Sequence, residues 1–238
     1  MRVIALIAAA GVGKRMGIES NKLLINLQGI PILVRTLIKF EQHCLVDEIF
    51  ILANPKDLTS CKSDIVDRYG ITKVTKIIPG GTKRQDSIKN GLDEVREDCI
   101  VLIHDGARPF ISGEVLNCTI QETRTYGATA VCIPATDTVK LVTDNTFIEK
   151  TKERERVFLA QTPQAFRYEI IKEAYKRAYA DGYYATDDAT LVERLGTKVK
   201  VIPGSSTNIK ITTKEDLKLA AAILLLEGKN GYENRNRL

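Results

Sequence analysis

Residues 3–17 read Val3-Ile4-Ala5-Leu6-Ile7-Ala8, then Ala9-Ala10-Gly11-Val12-Gly13-Lys14-Arg15-Met16-Gly17. The first six form a short unbroken apolar run, the pattern of a strand buried in a parallel sheet. The small residues that follow let backbone N–H groups approach phosphate oxygens, and Lys14, Arg15 and Lys22 add positive charge. A Walker A loop needs GxxxxGK followed by Ser or Thr, which this stretch does not supply. A dinucleotide fingerprint needs GxGxxG, but here the third glycine comes one residue late, at Gly17. Asn54-Pro55 also stands where the second strand should end in an acid. What remains is a nucleoside-triphosphate loop with Arg15 and Lys22 seven residues apart, or a tight βα turn with solvated bases.

Outward from this stretch, short β-branched runs alternate with helical patterns, the signature of a parallel sheet covered by helices. Strands are predicted at Val3–Ala8, Glu48–Ala53, Lys73–Ile78, Ile100–His104, Thr129–Ile133 and Lys198–Ile202. Helices are predicted near Ile32–Gln42, Cys61–Tyr69, Asp86–Val95, Gly113–Tyr126, Tyr168–Ala180, Asp188–Leu195 and Lys214–Leu226. The last has a start signal in Thr213 with Asp216 three residues on. No repeat or low-complexity linker divides the chain, which predicts one domain over residues 1–227. Two segments escape the alternation. The polar stretch 136–155 carries two short alternating runs around Asp144-Asn145 and reads as a hairpin-like arm projecting from the sheet. The stretch 228–238 is polar and predicts a frayed, flexible tail.

Composition narrows the function classes. The chain has 238 residues, 44% hydrophobic and 27% charged, enough for a self-sufficient core and unlike a disordered chain. The apolar stretch near the start is far too short to span a bilayer, and a glycine loop follows where a signal-peptide cleavage site would stand. Five cysteines form no CxxC pair, which fits reduced thiols in a cytoplasmic protein. The net charge of +5 is scattered, with no arginine-rich arm, so an anionic small molecule is the expected partner rather than nucleic acid or a membrane.

A second cluster lies at a strand end: Ile100-Val101-Leu102-Ile103-His104-Asp105-Gly106-Ala107-Arg108-Pro109. Ligands in such sheets bind beyond the carboxyl ends of the strands. Asp105 can hold Mg²⁺, which favours one or two carboxylates plus phosphate oxygens, and Arg108 can grip a phosphate with two donors. The plainer alternative is an Asp–Arg pair closing a loop. His104 reads as a satisfied hydrogen-bonder without chemistry. Gly80-Gly81-Thr82-Lys83-Arg84-Gln85-Asp86-Ser87 suits contact with a base or ribose, and equally a capped βα turn. Lys210 points opposite to Ile209 and Ile211, so it faces a cleft or solvent. Thr186-Asp187-Asp188 reads as a helix cap. No Ser-His-Asp set, cysteine metal cluster or HExxH occurs; the parts present suit nucleotidyl transfer, which runs on positioning and charge neutralisation.

Taken in order, AAAGVGKRM…NKLL, GGTKRQDSI, HDGARPFI, DTVK, TPQAF, TDDA and NIKIT resemble the 2-C-methyl-D-erythritol 4-phosphate cytidylyltransferases, from Ala8 to about Leu226. The resemblance implies a Rossmann-like nucleotidyltransferase fold with a projecting β-arm, use of CTP and Mg²⁺, a homodimer joined through the arms, and a role in non-mevalonate isoprenoid synthesis. It also implies residue roles. Arg15 and Lys22 would stabilise the α-phosphate in flight, and Lys210 would lie near both reacting phosphates. The backbone at Ala9, Ala10 and Gly11 would meet phosphates and base, and Gly81, Arg84 and Ser87 the cytosine and ribose. Asp105 and Gly106 border the nucleotide, with Asp105 as the metal anchor. Asp105, Arg108, Thr138, Arg154 and Thr162 would surround the acceptor, with Thr138 and Arg154 supplied by the partner's arm. Arg156 competes with Arg154 for that role. The chain departs from the family pattern at Thr82, where an acid is common, at Gly106 in place of alanine, and at Asn21 before Lys22. A ribitol-5-phosphate cytidylyltransferase is the alternative, although its relatives resemble GGTGTRM and HDSVRP.

Overall fold

The structure is a computed structural model that describes residues 1–11, 22–96, 98–144 and 146–235, with side chains to 226. The apolar run that opens the chain is β1 (Arg2–Ala9), buried almost throughout. A two-residue hairpin, β2 (Asn26–Leu27) and β3 (Ile30–Pro31), leads into α1 (Ile32–Glu41) and then β4 (Glu48–Ala53). A short α2 (Leu58–Ser60) continues as a π-helical stretch, Cys61–Asp67, where the sequence predicts an ordinary helix. β5 (Val74–Pro79), α3 (Arg84–Asp93), β6 (Cys99–Asp105), α4 (Gly113–Tyr126) and β7 (Ala128–Pro134) complete the alternating part. Helix α4 starts on Ser112, whose hydroxyl accepts from the Val115 N–H. It stops at Gly127, where φ of 81° suits a residue without Cβ.

After β7 the chain leaves the main sheet as β8 (Lys140–Thr143) and β9 (Phe147–Thr151), an antiparallel pair of its own and the predicted arm. It returns through β10 (Phe158–Arg167), then α5 (Tyr168–Ala180), α6 (Asp188–Glu193), β11 (Lys200–Pro203) and α7 (Lys214–Arg235). The main sheet has seven strands in the order β11-β7-β10-β6-β1-β4-β5. Every neighbour pair is parallel except those of β10, which runs antiparallel to both β6 and β7. Strand β10 is not among the predicted strands. Its centre, Gln161-Thr162-Pro163-Gln164, carries polar groups and a proline, which argue against a central strand. The proline is tolerated because the pairing with β7 shifts register between Ala160 and Gln164.

Alternate residues of β1 enter two cores. Val3, Ala5 and Ile7 pack with α1, α4 and α7, while Ile4 and Leu6 pack with α3, α5 and α6 on the other face. At the start of α7, Asp216 Oδ2 accepts from the Thr212 and Thr213 N–H groups, and Thr213 Oγ1 accepts from the Asp216 N–H at 3.2 Å. The capping box read from the sequence is therefore present. The helical backbone runs to Arg235, past Gly228, where the sequence predicts a frayed tail. No proline interrupts 214–235, and the Lys, Glu, Leu and Ala residues that fill 214–226 are strong helix formers.

Candidate active site

β1 and β6 lie side by side, pairing Ala8 with Asp105 at their carboxyl ends. Above them opens a cleft of about 240 Å³, lined by Ala8, Ala10 and Gly11 on one side and Gly81, Thr82, Lys83, Arg84 and Ser87 on the other. Asp105 and Lys210 line it too, as does Lys22, which the 3₁₀ turn Lys22–Leu24 carries in at the end of the loop. Glycine is required where the two loops meet, since a Cβ on Gly80 would collide with Ala10 Cβ. Ser87 Oγ accepts from the Gly81 N–H at 3.0 Å and donates to the Lys83 carbonyl at 3.2 Å. The same residues therefore serve as a braced βα turn and as a cleft wall.

Asp105 is the electrostatic centre, only 7% exposed. Lys210 Nζ lies 2.7 Å from its Oδ2, Arg84 Nε 3.2 Å from its Oδ1, and Arg108 Nε 3.9 Å from Oδ2. Burial pushes the carboxyl up, but Arg84, Lys210 and Arg108 outweigh that and hold it well below the usual carboxylate range. Lys210 thus faces the cleft rather than bulk solvent. Its neighbours explain this: Ile211 is buried, and its N–H donates to Ala107 O at 2.9 Å, docking the segment beside the end of β6.

Behind the carboxylate lies a second, mostly buried layer. The Asp105 N–H donates to Thr162 Oγ1 at 3.0 Å, and that hydroxyl also meets His104 Nδ1 at 3.2 Å. Arg108 Nη1 donates to the Asn208 carbonyl at 2.6 Å, while Asn208 Nδ2 donates to Thr162 O and Gln161 Oε1. These contacts tie the end of β6, the middle of β10 and the Lys210 segment together. The Gly106 N–H donates to Ala8 O at 3.0 Å, so strand pairing extends one residue past Asp105. His104 is fully buried, and burial pushes its imidazole down to about 4; its Nε2 meets Arg108 O at 3.0 Å. It is a neutral structural hydrogen-bonder.

Of the residues singled out from sequence, Ala10, Gly11, Lys22, Gly81, Arg84, Ser87, Asp105 and Lys210 line one cleft. Gly106, Arg108 and Thr162 stand against Asp105, and Ala9 ends β1 with its side chain in the core. Arg15, like the rest of 12–21, lies outside the described residues. Thr138 and Arg154 do not line this chain's cleft. Both are exposed, and Arg154 Nη1 donates to Thr136 O at 3.2 Å, closing the base of the arm. Arg156 is 83% exposed beside Glu153.

Sequence reasoning missed Asp188. Asp187 makes the expected cap, its Oδ1 accepting from the Thr190 N–H at 3.0 Å. Asp188, however, is a buried carboxylate 2.8 Å from Arg84 Nη1. The signal was the doubled acid before Leu191 and Val192: residues three and four apart share a helix face, and both are buried.

The donor set also bears on a metal. Among the described residues no cluster of three or more His, Cys, Asp or Glu side chains is placed to hold one. Asp105 supplies one carboxylate at the cleft; Lys210 and Arg108 stand on its Oδ2, while Oδ1, with Arg84 at 3.2 Å, keeps a second lone pair. That fits Mg²⁺, which binds through one or two carboxylates and draws its other ligands from substrate phosphates and water.

A mostly parallel sheet with a cationic cleft beyond its strand ends, walled by two small-residue βα loops, is the architecture of an α/β nucleotidyltransferase. The family profile described as 2-C-methyl-D-erythritol 4-phosphate cytidylyltransferase matches residues 3–225. The chain belongs to that family. It is 47% identical over 227 residues to the protein of that name from Syntrophus aciditrophicus, covering 95% of this chain and 97% of the relative. A Clostridioides difficile protein of the same name is 41% identical, covering 98% of each chain. The fold is similar to the crystal structure of 4-diphosphocytidyl-2C-methyl-D-erythritol synthase from Anaerococcus prevotii, with TM-score 0.83, 34% identity and coverage of 94% and 96%. It also resembles the Thermus thermophilus cytidylyltransferase, with TM-score 0.77, 30% identity and coverage of 94% and 98%.

Proposed function

We infer that this chain transfers the cytidylyl group of CTP to the phosphate of 2-C-methyl-D-erythritol 4-phosphate, a step of non-mevalonate isoprenoid synthesis. The observation that carries the reading is the convergence of Lys22, Arg84 and Lys210 on the Asp105 cleft, in a chain that matches this family over almost its full length. An oxygen of the acceptor phosphate attacks the α-phosphorus. The bond from that phosphorus to the α–β bridging oxygen breaks, its electron pair leaves with pyrophosphate, and 4-diphosphocytidyl-2-C-methyl-D-erythritol results. With a second pKa of about 6, the acceptor phosphate is largely dianionic near neutral pH and needs no general base. The work left to the protein is to bring two anions together and neutralise the charge that builds between them.

Lys22 and Arg15 hold the triphosphate and meet the charge at the α-phosphate, while Lys210 stands between the reacting phosphates. Ala9, Ala10 and Gly11 offer backbone to the nucleotide, Gly81, Arg84 and Ser87 face its base and ribose, and Gly106 borders it. Arg108 and Thr162 orient the acceptor. Mg²⁺, anchored by Asp105, supplies Lewis-acid neutralisation of the phosphates when bound.

One domain over residues 1–227 carries this chemistry, and the 136–155 arm makes a homodimer. Supporting this, Ile148 on β9 is 64% exposed directly opposite Val142 on β8, itself 49% exposed, an apolar pair that a two-fold partner would cover. Thr138 and Arg154 then reach the partner's acceptor site. Free thiols at all five cysteines support a cytoplasmic setting. The test is pyrophosphate release with four nucleoside triphosphates against methylerythritol phosphate and ribitol 5-phosphate. CTP with methylerythritol phosphate should dominate. Equal rates with UTP would break the reading, and preference for ribitol phosphate would move it to the alternative acceptor.

A further inference from the structure

Helix α6 delivers a second carboxylate to the back of the nucleotide wall, where no ligand in the cleft reaches it. Asp188 is 1% exposed and does not line the cleft. Its Oδ2 lies 2.8 Å from Arg84 Nη1, and its Oδ1 accepts from the Tyr175 hydroxyl at 2.5 Å. The main chain there is equally fixed, since Gln164 Oε1 accepts from the N–H groups of Asp188 and Ala189 at 3.1 and 2.9 Å. Capping of α6 does not explain the carboxylate, because Asp187 already makes the cap. A charge this deeply buried is costly unless it is paired. Among the described residues, the cation that pairs with it is Arg84.

Arg84 needs such a partner. It is the first residue of α3, and its long side chain would keep many rotamers in an open cleft. Its other anion, Asp105, is shared with Lys210 at 2.7 Å and Arg108 at 3.9 Å. It is also the residue from which an arriving metal or phosphate would redistribute charge. A guanidinium held by Asp105 alone would move whenever Asp105 changed partners. With Asp188 behind it, the guanidinium is held from two sides and stays charged: burial opposes the charge, but Asp188 and then Asp105 outweigh it.

We propose that Asp188, itself fixed by Tyr175, is a positioning residue that locks the Arg84 guanidinium in the cleft wall for the nucleotide, independently of what Asp105 binds. This rests on the CTP-site reading above. It predicts loss of CTP affinity through Arg84 and no direct effect on the acceptor.

The experiment is a coupling cycle between Asp188→Asn and Arg84→Ala in the full chain. It reads CTP binding by titration calorimetry, KM for each substrate, and the melting temperature. Asp188→Asn keeps the side chain's size and removes its charge. It should weaken CTP binding about tenfold, the scale seen when an outer partner that orients a site residue is lost. The acceptor's KM should stay within about twofold, because the change acts through Arg84 on the nucleotide wall. Added to Arg84→Ala, the same substitution should cost no further CTP affinity, although it lowers the melting temperature in both backgrounds. Tyr175→Phe keeps the charge, loses the hydroxyl contact and should weaken CTP about threefold, near the lower end of what one hydrogen bond contributes because the loss reaches CTP only through Arg84. If Asp188→Asn does not fold, Tyr175→Phe alone decides the question.

Parent-like CTP binding in a folded Asp188→Asn or Tyr175→Phe variant overturns the proposal. So does a loss that persists undiminished in the Arg84→Ala background, which would mark Asp188 as a general structural residue. Either result leaves the functional reading standing if the parent transfers CMP, whereas a parent that binds no CTP overturns both.

Discussion

Lys22 Nζ donates to the main-chain carbonyl of Ile211 at 2.8 Å, joining two residues 189 positions apart. The contact sets the Lys22 ammonium on the ledge that carries Lys210, the residue before Ile211, so the end of the glycine loop and the segment before α7 present their lysines to one cleft. A cation held by a backbone carbonyl is pre-oriented and need not be recruited from solvent when charge develops on the phosphates. Lys22→Ala should therefore lower kcat by about 100-fold or more with the fold intact, and Arg15→Ala should do the same. Steady-state kinetics with circular dichroism as a fold control checks this. Near-normal turnover in both variants would remove the loop from the catalytic account.

The metal requirement follows from charge density. Acceptor phosphate and triphosphate repel each other strongly at bonding distance, so activity should vanish with a chelator and return with Mg²⁺. Asp105→Asn should shift the half-maximal Mg²⁺ concentration upward. The variant also removes the anion between Arg84 and Lys210, so its CTP affinity should be measured separately. A Mg²⁺ dependence identical to the parent's would show that Asp105 is not the anchor.

His104 gives the protein a defined acid sensitivity. Its folded pKa of about 4 lies below the unfolded value near 6.5, because burial disfavours the charged ring. The unfolded chain therefore binds one more proton between those values. The stability tied to the neutral ring is complete above pH 6.5 and falls as pH drops towards 4. About 3 kcal/mol should be lost across that window, at roughly 1.4 kcal/mol per pH unit. Denaturant melts from pH 7 to pH 4 should show this slope, and His104→Gln should flatten it. A variant with the parent's slope would assign the acid sensitivity elsewhere. Asp105 makes no such limb in this range, since its carboxyl is held well below the usual values and stays ionised.

Arg154 tests the shared active site. In one chain it is half exposed and bonded to Thr136 at the foot of the arm, outside the cleft. Lys22→Ala and Arg154→Ala should each be nearly inactive alone. Mixed and reassorted at random, they should recover activity in about a quarter of all sites if each site takes Lys22 from one chain and Arg154 from its two-fold partner. Verified exchange of subunits without recovery would place Arg154 in its own chain's site.

The alternation of strands and helices, the small residues Ala10 and Gly11 after β1 and the acid at the end of β6 were all legible along the chain. Each depends on a local signal, the periodicity of apolar residues or the residue types that follow a strand. The hairpin arm was legible for the same reason, its two short alternating runs lying either side of a turn. β10 was not, because its polar centre makes sense only through distant partners: Thr162 beneath Asp105, Gln164 at the start of α6, and Gln161 bonded to Ser205 O. Lys210 could be placed on a face but not assigned between cleft and solvent, since that depends on the docking of Ile211 against Ala107. Asp188 looked like a cap until the sheet brought Arg84, more than a hundred residues earlier in the chain, to within 2.8 Å of it. Periodicity and turn chemistry are local, so the sequence determined the elements and the kinds of residue at their ends. Which charges neutralise one another depends on distances across the sheet, and those only the tertiary structure decided.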